Sequence, residues 1–225
     1  MMRGARTLAP VLALAAGLLA AQSAGAQFRF GHSRSPSKAV ADAAWPAEAA
    51  RAGIEGEATA VCEVGVKGVL SACRVVSEHP AGQGFGAALL SLAPQWRAKP
   101  KGSASCAAYF HESLIGWSWS KIDHQADWAV KPWPGELADY YPPEAEKART
   151  HGAAVVECKV APSGKPTNCR AVDEHPLGAG FGAAAAAMAM TFEFKPAKAN
   201  KTPVSSTVAI PINFQPTGAV IWNCG

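Results

Sequence analysis

Apolar and polar residues alternate on both sides of Lys67-Gly68. Val64, Val66 and Val69 alternate with polar neighbours between Cys62 and Cys73, which predicts two strands joined by a turn at Lys67-Gly68. The pattern returns between Cys158 and Cys169, about Ser163-Gly164. Breaker-rich loops follow, and then Ala-rich runs that predict helices from about Phe85 to Ala93 and from Phe181 to Met190. The last apolar stretch predicts a strand from Val204 to Phe214, with Val204, Val208, Ile210, Ile212 and Phe214 at mostly alternate positions. Its counterpart runs from about Ala107 to Trp119, where Ile115-Gly-Trp-Ser-Trp119 matches Ile210-Pro-Ile-Asn-Phe214 after a one-residue slip.

These elements recur because the chain repeats itself. Residues 45–100 align with 141–196 at a constant offset of 96, with 24 of 56 positions identical. A fixed, gapless offset marks one folding unit copied whole. Each copy opens with an aromatic-Pro pair, Trp45-Pro46 or Tyr141-Pro142, ahead of the good helix formers in 47–51 and 143–149. Gly56 and Gly152 are read as the ends of those short helices, and Trp96 and Phe192 as core anchors. The expected fold class is α+β: two tandem α-β-β-α-β domains, each an antiparallel sheet with a helix packed on one face. The expected divisions are a signal peptide (1–26), an N-terminal linker (27–44), domain 1 (45–120), an aromatic and Pro-containing linker (121–140), and domain 2 with a tail (141–225). Trp128 and Trp133 make the second linker too aromatic for a floppy spacer, so it is expected to dock on one or both domains.

Arg3 and Arg6 precede an apolar run from about Leu8 to Ala21, and Ala24-Gly25-Ala26 closes it. This is the layout of a secretory signal peptide, with cleavage expected after Ala26 and export to the periplasm. The alternative is an uncleaved anchor, but the run is short for a spanning helix and holds Pro10. Removal of the signal leaves a net charge of +2, and no Lys/Arg cluster accompanies it, which argues against nucleic-acid binding.

All six cysteines lie beyond the signal, and an even count in an exported chain favours disulfides. The hairpin midpoints place Cys62 opposite Cys73 and Cys158 opposite Cys169. Cys106 and Cys224 remain and pair by elimination. Metal ligation is the competing reading, against which the absence of C-x-x-C spacing weighs.

Candidate chemistry is sparse. Glu78-His79 and Glu174-His175 precede prolines, and His beside carboxylate suits acid–base or metal chemistry. One His and one Glu per copy are too few for a metal site, and no nucleophile accompanies them. The expected role is structural, with each Glu facing a helix N-terminus, and with His79 and His175 both dispensable. Gly82, Gly84 and Gly86 lack phosphate-loop spacing and read as tight loop geometry. Asp123, His124 and Asp127 read as a solvated linker cluster. No catalytic residue, metal site or cofactor is expected.

The order Tyr141-Pro142, Gly152, Gly164, Phe192-Glu-Phe-Lys-Pro196 and Ile210-Pro-Ile-Asn-Phe214 resembles the TonB C-terminal domain family. Trp45-Pro46, Gly56, Gly68 and Trp96-Arg-Ala-Lys-Pro100 hold the same places in the first copy, which resembles a diverged member. The cysteine pairs resemble those of a disulfide-bearing branch. The resemblance implies a non-enzymatic periplasmic interaction module that binds an extended segment of an envelope or outer-membrane transport protein by β-strand addition. It places the partner-binding edge on the closing strand, at Val204, Ser206, Val208, Ile210, Ile212 and Phe214. Peptidoglycan association and homodimerisation are further expectations of this kind. An energy-transducing role is the alternative; it would require a permanent anchor and a long Pro-rich spacer, and the sequence has no such spacer.

Overall fold

Burial of a sheet on both faces is the arrangement toward which both halves of this chain fold. The computed structural model describes residues 28–29, 32–98, 112–122, 124–130, 138–216 and 220–221. The first half runs β1 (Phe28–Arg29), β2 (His32–Arg34), α1 (Lys38–Ala43), α2 (Ala47–Ala52), β3 (Gly56–Val64), β4 (Leu70–His79), α3 (Phe85–Leu92), β5 (Arg97–Ala98) and β6 (Glu112–Trp119). The second runs β7 (Asp127–Val130), α4 (Pro143–Lys147), β8 (Gly152–Val160), β9 (Pro166–His175), α5 (Phe181–Ala189), β10 (Glu193–Lys195), β11 (Ala197–Ala199), β12 (Thr202–Val204), β13 (Ser206–Phe214) and β14 (Val220–Ile221). The result is the expected α+β fold with antiparallel ladders.

Two four-stranded sheets carry the structure, in the orders β1-β6-β3-β4 and β14-β13-β8-β9. Their registers repeat. Trp119 pairs with Gly56 and Phe214 with Gly152, while Ile115 pairs with Ala60 and Ile210 with Val156. The one-residue slip between the closing segments is therefore built into the ladders. Beyond the expected topology, β1 joins the first sheet in parallel.

Side chains alternate across each strand, so each central strand serves two cores. On one face Ala58, Ala60 and Cys62 pack with Phe85, Leu89, Ile115 and Trp119 beneath α3. Ala154, Val156, Cys158, Ile210, Ile212 and Phe214 do the same with Phe181 and Met188 beneath α5. On the other face Val61 and Leu114 meet Ala153 and Val155, with Val76, Val172 and Ala209 alongside. The two sheets thus stack between two outer helices. β8 is buried on both faces from Gly152 to Cys158, a continuous run rather than an alternation.

The disulfides Cys62–Cys73 and Cys158–Cys169 bridge the hairpins, with Cα atoms 4.0 and 4.1 Å apart. The proposed pair Cys106 and Cys224 lies outside the described residues. Trp45 Nε1 donates to the Ile54 carbonyl at 3.2 Å and the Tyr141 hydroxyl to that of Thr150 at 2.8 Å, so each opening aromatic ties down the loop behind its helix.

Three expectations change. Gly56 and Gly152 do not end the first helices. Gly53 ends α2 in the left-handed conformation (φ 66°), whereas Gly56 and Gly152 begin strands. Phe85 and Phe181 lie directly over those two glycines, and an added Cβ would fall 2.1 and 2.0 Å from the rings. Val204 is not on the closing strand: it ends β12 and pairs with Ala197 in a separate hairpin. The segments read as linkers contain repeated structure. His32 pairs with Ala98 and Arg34 with Arg97; Trp128 pairs with Phe194 and Val130 with Glu193. Each of these residues is offset by 96 from its counterpart. The aromatic contacts repeat as well, His32 to Trp96 and Trp128 to Phe192, at centroid distances of 6.4 and 5.3 Å. Trp128 also stacks on Phe194 at 5.0 Å, so the second linker docks as its aromatic content suggests. Trp133 lies outside the described residues.

Replacing Cys62 and Cys73 together with Ala is expected to lower stability by about 3 kcal/mol, since the bridge closes a short loop. Gly152→Ala is expected to cost about 1–3 kcal/mol through overpacking against Phe181. Urea unfolding monitored by tryptophan fluorescence checks both.

Candidate functional site

The closing strand of the second half presents one paired border and one open border. On one side β13 is laddered to β8 over its whole length, from Ser206 opposite Val160 to Phe214 opposite Gly152. On the other side β14 reaches only Asn213 and Phe214. Ser206 to Ile212 therefore have no ladder partner on that side among the described residues. Pro211 lies inside this stretch, and proline has no N–H to give a ladder, so it belongs on a strand with a free border. Unpaired main-chain groups of this kind accept another extended chain.

The side chains named from sequence are not what an incoming strand would touch. Val208, Ile210, Ile212 and Phe214 face α5, and Ser206 is buried as well. The border itself is main chain. On β6, Ser113 is fully buried and meets His32 Nε2 through its hydroxyl at 3.2 Å. Thr207 and Ala209 alternate with the buried set and line a cleft between the sheets.

This cleft of about 510 Å³ is bounded by Leu114 and Gly116 of β6 and by Thr207 and Ala209 of β13, with Glu57, Thr59, Ser77 and Glu157 also in its wall. Glu157 is only 6% exposed. Ser77 donates its hydroxyl to one carboxylate oxygen, while His79 Nε2 and Arg170 Nη2 lie 2.8 and 2.9 Å from the other. Nearby, Arg74 makes a two-pronged ion pair with Asp173, at 3.0 and 2.6 Å. These contacts join the halves. Burial pushes the Glu157 carboxyl up more than any other single influence. The hydrogen bonds from Ser77 and His79, with the charges of His79 and Arg170, together outweigh it and hold the group below its ordinary value of 4.5.

The sequence missed this cluster. Its signal lies in the repeat: Glu157 stands where the first copy has Val61, and Asp173 where it has Ser77. A charge replacing an apolar residue on a central strand needs a partner, and the partner comes from the other sheet. His79 is accordingly not the dispensable loop residue expected. The two glutamates before the histidines do meet helix N-termini: the amides of Phe85 and Phe181 donate to Glu78 and Glu174 at 3.0 Å each. The glycine loops thus lead into helix ends already satisfied by the chain's own carboxylates. His124 pairs through its main chain with Lys198, and Asp123 lies outside the described residues. Among the described residues, no group of three His, Cys, Asp or Glu is placed to hold a metal ion.

Residues 138–216, which carry α4, the β8–β9 hairpin, α5 and β13, match the profile of the Gram-negative bacterial TonB protein C-terminal. These residues are similar to the TonB C-terminal domain family. A search of curated proteins finds no match. The TonB domain makes this half a TonB-like interaction module of the cell envelope, and domains of the family interact with outer-membrane transporters. No helix among the described residues is long and apolar enough to cross a membrane.

Because the Glu157 carboxyl titrates lower in the folded chain than in the unfolded one, the stability it lends is complete above the ordinary glutamate range. That stability is lost as the pH falls through the lower folded value. Glu157→Gln is expected to cost about 1.5–3 kcal/mol at neutral pH and to make the acid limb of the stability profile shallower. His79→Ala is expected to cost about 1 kcal/mol, and His175→Ala less, since Val61 holds the place of Glu157 in the repeat. Chemical denaturation at a series of pH values checks all three.

Proposed function

We propose that the chain is a non-enzymatic periplasmic adaptor, exported by a signal peptide cleaved after Ala26. It binds an extended segment of an outer-membrane transport protein by adding that segment to β13 along Ser206–Ile212. The observation that supports this reading most directly is the unpaired border of β13 in a TonB C-terminal domain. Main-chain hydrogen bonds supply the affinity in such pairing, and alternate side chains of the guest supply the selectivity. Guest side chains turned toward Thr207 and Ala209 enter the cleft above Glu157, where a polar wall meets Leu114.

A photo-crosslinking amino acid at Thr207, half-exposed beside the open border, tests the reading in intact cells. The expected product joins β13 to a short extended segment of an outer-membrane transport protein, located by mass spectrometry. The same probe at Thr167, on the opposite border strand β9, is expected to yield no such product. Absence of the Thr207 product, or equal capture from Thr167, overturns the proposal.

A further inference from the structure

The same stretch of the repeat goes to different places in the two halves. Residues 28–29 and 124–125 are separated by the repeat offset, and each precedes a docking strand, β2 or β7. In the second half His124 bridges to Lys198 of β11, with main-chain hydrogen bonds of 3.2 and 2.8 Å. That route leaves the border of β13 clear over Ser206–Ile212 among the described residues. In the first half, Phe28 and Arg29 instead run beside β6, paired with Glu112 and Ser113.

Further contacts hold this segment in place. The His32 ring meets the Ser113 hydroxyl, the Arg34 guanidinium donates to the Gln95 carbonyl at 3.0 Å, and Ser33 hydrogen-bonds to the strand β5. At the far end of β6, Trp119 Nε1 donates to the Ala41 carbonyl of α1 at 2.7 Å, and Ala41 is fully buried. Ser37 caps α1 by accepting from the Val40 amide. β1 thus pairs with the Glu112–Ser113 end of β6 and α1 meets Trp119 at the other, while Leu114–Trp119 have no ladder partner on the β1 side among the described residues.

We infer that the chain's own N-terminal segment occupies the Glu112–Ser113 end of the first half's outer border and hinders strand addition to β6 at that end. β1 acts as an internal guest strand. It supplies to β6 the main-chain partners that an external peptide supplies to an open border. It also lies against β13.

The test uses the full chain and needs no outer-membrane partner, so it is decided separately from the β13 proposal. Phe28→Pro with Arg29→Pro removes both β1 amide donors. Hydrogen exchange at Glu112–Leu114 is expected to speed up by about tenfold or more, with Thr207–Ile212 unchanged. A second variant begins at Ser37, which keeps the cap and α1. A synthetic peptide of residues 27–36 is expected to bind it one to one and restore slow exchange in β6, and to leave the full chain unaffected. Unchanged β6 exchange in the proline variant overturns the inference. So does failure of the peptide to bind the folded shortened chain, or equal binding of the peptide to the full chain.

Discussion

The contact between the two sheets is what the rest of the structure depends on. Among the described residues, neither sheet has a second helix to cover its inner face. Val61 and Leu114 of one and Ala153 and Val155 of the other exclude water from each other. A half of this size buries too little apolar surface to be robust alone, and its disulfide compensates for only part of the deficit. Stacking doubles the use of each central strand. It also creates the environment in which Glu157 is buried with Ser77, His79 and Arg170 around it. A buried charge of this kind is costly to strip of its partners, and it therefore favours one arrangement of the halves over sliding alternatives.

This arrangement bears directly on function. Stacking places the inner faces of β6 and β13 on either side of one cleft. On the first sheet β1 pairs with Glu112 and Ser113, and α1 accepts from Trp119. On the second the outer border of β13 is open between Ser206 and Ile212 among the described residues. The two halves thus differ in what their flanking chain does more than in their sheets. Each half buries the inner face of the other, and in the second half Ser206–Ile212 have no ladder partner on the outer side among the described residues.

Much of this was legible in the residues. The 96-residue offset, the two hairpins with their bridging cysteines, the Ala-rich helices and the slipped closing strand all have direct counterparts in the structure. Each rests on side-chain periodicity or on partners a few residues apart. The misreadings share a cause. Gly56 and Gly152 signalled a helix end because glycine commonly plays that part, yet the ring of Phe85 or Phe181 is what excludes a side chain there. The strands in the linkers escaped notice because two- to four-residue strands carry no period to detect. His32 and Trp128 share neither identity nor class, and only their equivalent pairings declare them equivalent.

The sequence by itself determined the α+β class, the disulfide pairing within each hairpin and the last long strand of each half, because local patterning and short-range contacts encode all of these. Tertiary structure alone decided that the sheets stack, that Glu157 meets Ser77 and His79 across the interface, and that residues 28–29 pair with β6 while His124 goes to β11. Those outcomes depend on main-chain hydrogen bonds and apolar faces brought together from distant parts of the chain. A main-chain border is chemically the same whatever side chains it carries, so its being open or filled leaves no mark on the residues that form it.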